Sequence, residues 1–294
     1  MLTGMLIWGG TYLAATCAIT VLSTPAHRLP SYLLFELVCL APWTVWLFIR
    51  SARRGGAVAI GAVVQAATVA ALTYVVEAEC TYAGYWEFFQ DRDVLCGVRL
   101  SGVPIEEFLF FPLAINFALL LYLWIVDYLR SHRIRDFKVP TPVLFAVLGG
   151  LSAVFAGLAV WTWLQRDPAA APVVRAWDSF GIPRLSGGPR GYGWTLIILS
   201  SVSVNFLVFL LAERFTALVL RAAIVLAGVF FLVNFLVEFF GTGRGWWVYN
   251  ARQVSGAWVI AVPVENLAAY LTGITLSLAL FEGTRTLLGE KGPP

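Results

Sequence analysis

Long apolar runs separated by short polar breaks dominate the 294-residue chain. Eight runs approach or exceed the roughly 20 apolar residues that a helix needs to cross a bilayer core. They span 2–23, 32–50, 56–77, 104–127, 141–164, 192–212, 216–240 and 258–281. In lipid every backbone N–H and C=O must be paired within the segment, so runs this long and apolar predict helices. The first run has no Lys or Arg before it and no clear small-x-small cleavage site, so it reads as a helix and not as a signal peptide.

The polar breaks repeat. Val76–Trp86 aligns without a gap with Val237–Trp247, matching Glu77 with Glu238, Thr81 with Thr242, Gly84 with Gly245 and Trp86 with Trp247. Further on, Val103-Pro104-Ile105-Glu106 meets Val262-Pro263-Val264-Glu265 after a small change in loop length. Each unit thus holds two helices, a Glu at a helix end, a Gly-aromatic loop and a third helix opened by Pro-x-Glu. An odd number of spans per unit would leave adjacent units inverted, and the run at 141–164 restores the orientation. The expected architecture is an all-α polytopic membrane protein of about eight transmembrane helices, with two parallel three-helix repeats, a linking helix and an extra N-terminal helix. The corresponding divisions are 1–31, 32–130 for the first unit, 131–190 for the linker and 191–294 for the second unit.

Carboxylates at the edge of such spans are costly, and intramembrane acids are functional candidates by default. Proline suits a first helical turn because it has no N–H to leave unpaired. A Glu two residues later can accept from free N–H groups and is favoured by the helix dipole, which makes a plain cap the simplest reading of either motif alone. Duplication strengthens the second reading, a converging acid cluster of Glu77, Glu106, Glu107, Glu238 and Glu265. A neutral carboxylic acid beside an ionised one is the arrangement of a general acid with its base. Glu106 and Glu107 project about 100° apart on a helix, so only one faces the unit interface squarely. Glu106 matches Glu265 and is the first choice; Glu107 matches Asn266. Aromatic residues crowd both motifs. Most suit an interfacial belt, but Trp86, Phe108 and Trp247, with Asn266, are candidates for substrate contact, since π faces stabilise a cation.

Composition changes little. The chain is 60% hydrophobic and only 13% charged, with a net charge of +3 and no basic stripe of the kind that binds nucleic acid. Short basic loops at 50–54 and 130–135 place those loops and both termini on the cytoplasmic side of a cell inner membrane. The four cysteines, Cys17, Cys39, Cys80 and Cys96, form no C-x-x-C pair. Cys80 and Cys96 share one polar loop, where a disulfide is an open alternative. No Rossmann fingerprint, P-loop or H-E-x-x-H motif occurs, and no Asp-rich box for a magnesium diphosphate, so no cofactor or metal is expected.

The pattern resembles the heterodimeric-type carotenoid (lycopene) cyclases, in a form with both small membrane subunits fused. The resemblance rests on Tyr32-Leu33-Leu34-Phe35-Glu36 with Pro42, on Gly84-Tyr85-Trp86, on Gly97-Val98-Arg99-Leu100, and on Pro104-Ile105-Glu106-Glu107-Phe108-Leu109-Phe110-Phe111. In the second unit it rests on Gly245-Trp246-Trp247 and Pro263-Val264-Glu265-Asn266. It covers about 32–127 and 192–281. It implies a non-redox, cofactor-independent cyclisation of carotenoid ψ-ends within the bilayer, from lycopene through γ-carotene to β-carotene. The chain departs from the pattern in its extra first span and in the Glu-Asn of the second motif, which leaves one-ended cyclisation open. A hydratase working through the same cation and a proton-coupled two-repeat transporter are the alternatives. Association into a homo-oligomer or with other carotenoid enzymes stays open.

Overall fold

A computed structural model describes residues 31–88, 95–100, 102–132, 139–167, 174–177, 183–188, 190–211, 216–244, 246–260 and 262–289, with isolated positions elsewhere. The expected first span, 2–23, lies outside the described residues apart from a few helical positions. So do Asp91 and Asp93 of the first long loop.

Seven long helices make up the described fold. Helix α1 spans Tyr32–Ala52 and is interrupted by a π-helical turn at Glu36–Leu40. Next come α2 (Gly56–Tyr82), α3 (Ile105–Ser131), α4 (Pro142–Leu164), α5 (Gly193–Leu211), α6 (Ala217–Arg244) and α7 (Val264–Leu287). Among the described residues six of them are long and apolar enough to cross a membrane. The chain is therefore a multi-pass, all-α membrane protein. Each helix falls on an expected span, because in lipid length and hydropathy decide the element almost alone.

The largest boundary error lies at the last span. Residues 258–259 and 262–263 form the two strands of a hairpin, and α7 begins only at Val264. Their Trp and Val side chains are apolar but suit strands as well as helices, so hydropathy alone could not separate them from the span.

Helices α3 and α7 are in contact with each other. Helix α3 packs on α1, α2 and α6; helix α7 packs on α5, α6 and α2. The third helix of each sequence unit therefore meets the second helix of the other. Helix α4 stands outside this arrangement and packs on α5.

Short strands close one end of the bundle. Strand β1 (Trp86–Glu87) follows α2, and β2 (Arg99–Leu100) with β3 (Val103–Pro104) forms a hairpin leading into α3. Between α4 and α5 lies a second hairpin, β4 (Val174–Trp177) with β5 (Pro183–Ser186). Strand β6 (Val248–Tyr249) follows α6, and β7 (Trp258–Val259) with β8 (Val262–Pro263) leads into α7. The β2–β3 and β7–β8 hairpins have the same register: Arg99 pairs Pro104, and Trp258 pairs Pro263. Strands β1 and β6 pair antiparallel with each other, Trp86 against Tyr249 and Glu87 against Val248. This pair ties the two halves of the chain together directly above the helix bundle.

The prolines of the two motifs sit one position earlier than expected. Pro104 and Pro263 are the last strand residues and the N-caps of α3 and α7, with extended backbone at φ −59° and −62°. Glu106 and Glu265 are thus the second helical residues. Neither prolyl cap makes a side-chain capping bond.

Candidate functional site

The end of α2 sets the first half of the site. Gly84 adopts φ +70°, the left-handed region that glycine enters without steric cost. The Tyr85 N–H then reaches the Cys80 carbonyl at 2.8 Å and the Gly84 N–H reaches Thr81 at 3.2 Å, closing a Schellman motif. The turn sends the next residue back along the helix, so Trp86 donates its indole N–H to Glu77 at 3.0 Å. At the end of α6 the same pieces recur. The Trp246 N–H reaches the Gly241 carbonyl at 2.8 Å, and Trp247 donates to Glu238 at 2.9 Å.

The start of α3 and α7 sets the other half. Adjacent positions on these helices face different ways, as their geometry requires. Glu106 accepts from the Cys96 backbone N–H at 2.6 Å, and Glu265 accepts from the Ser255 N–H at 2.5 Å. Glu265 also accepts from the Thr195 hydroxyl at 2.5 Å. These two carboxyls anchor the loop before each hairpin to the helix that follows it. Their neighbours turn to the interior: Glu107 accepts from the Tyr32 hydroxyl at 2.8 Å, and Asn266 accepts from the Trp194 indole at 2.6 Å.

A cavity with about 820 Å³ of empty space, its mouth included, opens between these groups. Its polar wall is formed by Glu77 and Glu107 from one half of the chain and Glu238, Asn234 and Asn266 from the other. Trp86, Trp194, Trp247, Tyr249 and Tyr270 surround the acids. Farther in, small and aliphatic side chains of α3 and α7 line it, among them Ala114, Ala118, Ala269 and Gly273. Glu77, Glu107 and Glu238 are buried, and near enough to repel one another when charged.

Donors are shared unequally. Glu77 receives Trp86 and Glu107 receives Tyr32. Glu238 receives three: Trp247, Tyr249 at 3.0 Å, and Tyr270. Asn266 in turn donates to the Tyr249 hydroxyl. Burial, and then the nearby Glu238, push the Tyr249 hydroxyl well above its ordinary pKa, so it stays a donor.

Of the residues expected from sequence, Glu77, Glu107, Glu238, Trp86, Trp247 and Asn266 thus meet at one cavity. Glu106 and Glu265 do not line it. Nor does Phe108, which packs against Tyr74 with ring centres 5.6 Å apart. Cys80 and Cys96 are both free thiols, so no disulfide closes that loop. Tyr32, Trp194, Asn234 and Tyr270 are site residues that the sequence reading did not single out. Helical spacing carried a signal for one of them, since Tyr270 stands one turn after Asn266. Among the described residues no group of His, Cys, Asp and Glu could hold a metal.

Fold and cavity together define the class: a multi-pass membrane protein that gathers buried carboxyls inside an aromatic chamber. A family model described as Lycopene cyclase matches residues 11–125 and 192–284, well over half of the chain, and the chain belongs to that family. No curated protein and no solved structure matches it.

Proposed function

We propose that the protein is a lycopene β-cyclase that converts carotenoid ψ-ends to β-rings by acid–base chemistry alone, lycopene giving γ-carotene and then β-carotene. The observation that carries this reading is the meeting of Glu77, Glu107 and Glu238 in one apolar, aromatic cavity of a lycopene cyclase family member. Such a chamber suits an olefin that must be protonated and a carbocation that must be kept from water. It offers π faces for the cation and carboxyls for both proton transfers.

In the proposed reaction a carboxylic acid adds its proton to the terminal double bond, whose electron pair forms the new C–H bond. The cation left behind is attacked by the neighbouring double bond, which closes the ring through a new C–C bond. A carboxylate then removes a proton beside the new cation, and that C–H pair becomes the ring double bond. Atoms balance as an isomerisation, so the reaction calls for no redox cofactor. Ionised carboxylates only accept hydrogen bonds. Glu238, with three donors, fits the carboxylate that takes the proton. Glu107, with Tyr32 as its donor, fits the acid, and Glu77 bridges the two. Glu106 and Glu265 hold the loops that roof the chamber.

The matched hairpins, matched Trp–Glu bonds and the β1–β6 pair support two parallel three-helix units related by a pseudo-twofold axis along the membrane normal, with α4 as linker and the first run as an eighth span. On this reading the hairpin end faces away from the cytoplasm and both termini lie inside the cell, at the inner membrane. The carotenoid reaches the cavity from the bilayer.

Pigment chromatography of a lycopene-accumulating bacterium expressing the chain tests the reading. β-Carotene is expected. Unchanged lycopene, with the protein present in the membrane, contradicts it, and hydroxylated products point to water capture of the same cation.

A further inference from the structure

Glu36 is a buried carboxyl that stands outside the chamber wall. Glu36 lies in α1, fully shielded from the surface, and neither of its oxygens has a hydrogen-bond partner among the described residues. It opens the π-helical turn Glu36–Leu40. Such turns cost helix regularity and concentrate at functional sites. A carboxyl with no donor to accept from is the form that carries its own proton.

Its surroundings are specific. Glu36 follows Tyr32 by one turn on α1, and Tyr32 holds the chamber acid Glu107. The Glu107 and Glu106 carboxyls and the Cys96 thiol lie near enough to act on Glu36 electrostatically. Glu106 binds the Cys96 N–H with one oxygen, while its other oxygen is buried with no partner. Glu106 thus ties the partly exposed Cys96 loop to the start of α3, one residue before the chamber acid Glu107.

The second half of the chain offers a control. There Trp194 holds Asn266 as Tyr32 holds Glu107. Four residues after Trp194 stands Ile198, buried and apolar, where Glu36 follows Tyr32. The half whose chamber residue is not an acid thus also lacks the acid behind it.

We propose that Glu36 is the relay through which the chamber acid Glu107 is re-protonated from the Cys96 loop after each ring closure. This rests on the cyclase reading above. That reaction moves a proton from Glu107 to Glu238 by way of the substrate, so the acid must be reloaded before the next turnover. Two routes exist: solvent protons through Glu106 and Glu36, or return of the abstracted proton from Glu238 through Glu77. Along the first route each carboxyl takes up one proton from the outer side and gives one up toward the chamber, through side-chain rotation or a water that brings it within hydrogen-bond reach of the next, so charge and protons balance.

The isotope content of the product separates the routes. Full-length protein in lipid vesicles containing lycopene is run for many turnovers in D2O, and β-carotene is analysed by mass spectrometry. With the relay intact, each ring carries close to one deuterium. In Glu36→Gln, recycled protons dominate: turnover slows and deuterium per ring falls severalfold, whereas Glu36→Asp keeps the wild-type label. A packing role would alter the rate and leave the label unchanged, so a Glu36→Gln enzyme with undiminished deuterium per ring overturns the proposal. Should Glu36→Gln form no ring while Glu36→Asp does, the carboxyl itself is required, as proposed; loss in both variants, from protein still inserted in the membrane, overturns it. Failure of the wild-type protein to form any ring would instead overturn the cyclase reading.

Discussion

Trp247 donates its indole N–H to Glu238 across 2.9 Å, and the ring lies where a side chain on residue 241 would stand. A Cβ added to Gly241 would come within 2.5 Å of the indole, so the glycine permits the bond. A hydrogen bond to a charged group is worth about 1.5–3 kcal/mol, or roughly a 10- to 100-fold effect. Trp247→Phe should lower the rate of ring formation by about that factor. Gly241→Ala should do the same by displacing the ring. Initial rates of cyclic carotenoid formation in membranes check both. Wild-type rates in Gly241→Ala would contradict this use of the glycine.

The acids should divide into two groups. Glu77→Gln, Glu107→Gln and Glu238→Gln remove proton-transfer groups from the chamber, and general acid–base contributions run to about 10²–10⁴-fold. Losses of that size are expected, with membrane insertion and helix content unchanged by circular dichroism. Glu106→Gln and Glu265→Gln loosen a loop bond each. Partial activity is expected there, with faster proteolytic cleavage within the loops before α3 and α7. Complete loss in those two with full activity in the chamber variants would reverse the assignment.

Both halves of the chain contribute to the cavity described, and on the proposed function the two ends of one substrate molecule take turns in it. A time course should show monocyclic carotenoid rising first and then falling as the bicyclic product appears. Chromatographic sampling over the first turnovers checks this. Bicyclic product formed from the outset, with no monocyclic species at any time, would contradict it.

How much of this was legible in the sequence follows from which interactions are local. Spans α1 to α7 could be read because hydropathy over 20 residues is a local property. The duplication was legible because Glu77, Trp86 and Pro104 recur as Glu238, Trp247 and Pro263. Which of Glu106 and Glu107 lines the cavity was not. Matching identity favoured Glu106 with Glu265, but those two accept backbone N–H groups of a loop, and one step along a helix turns the next side chain to the interior. The helical spacing of Glu107, Ala114 and Ala118, and of Asn266, Tyr270 and Gly273, marks that interior face once the helix start is known. Tyr32 and Trp194 reach the chamber only because α1 and α5 pack on α3 and α7, a tertiary fact that no window of sequence holds. Glu36 was visible as an acid in an apolar run, yet its isolation from donors appears only in the packed bundle.

The most direct test of the central claim uses purified protein in lipid vesicles loaded with lycopene, with no flavin, nucleotide or metal added and a chelator present. Conversion to β-carotene is expected, followed by the change in visible absorption and confirmed by chromatography. Lycopene left unchanged under those conditions, and converted only when a reduced flavin or nicotinamide is supplied, would contradict it.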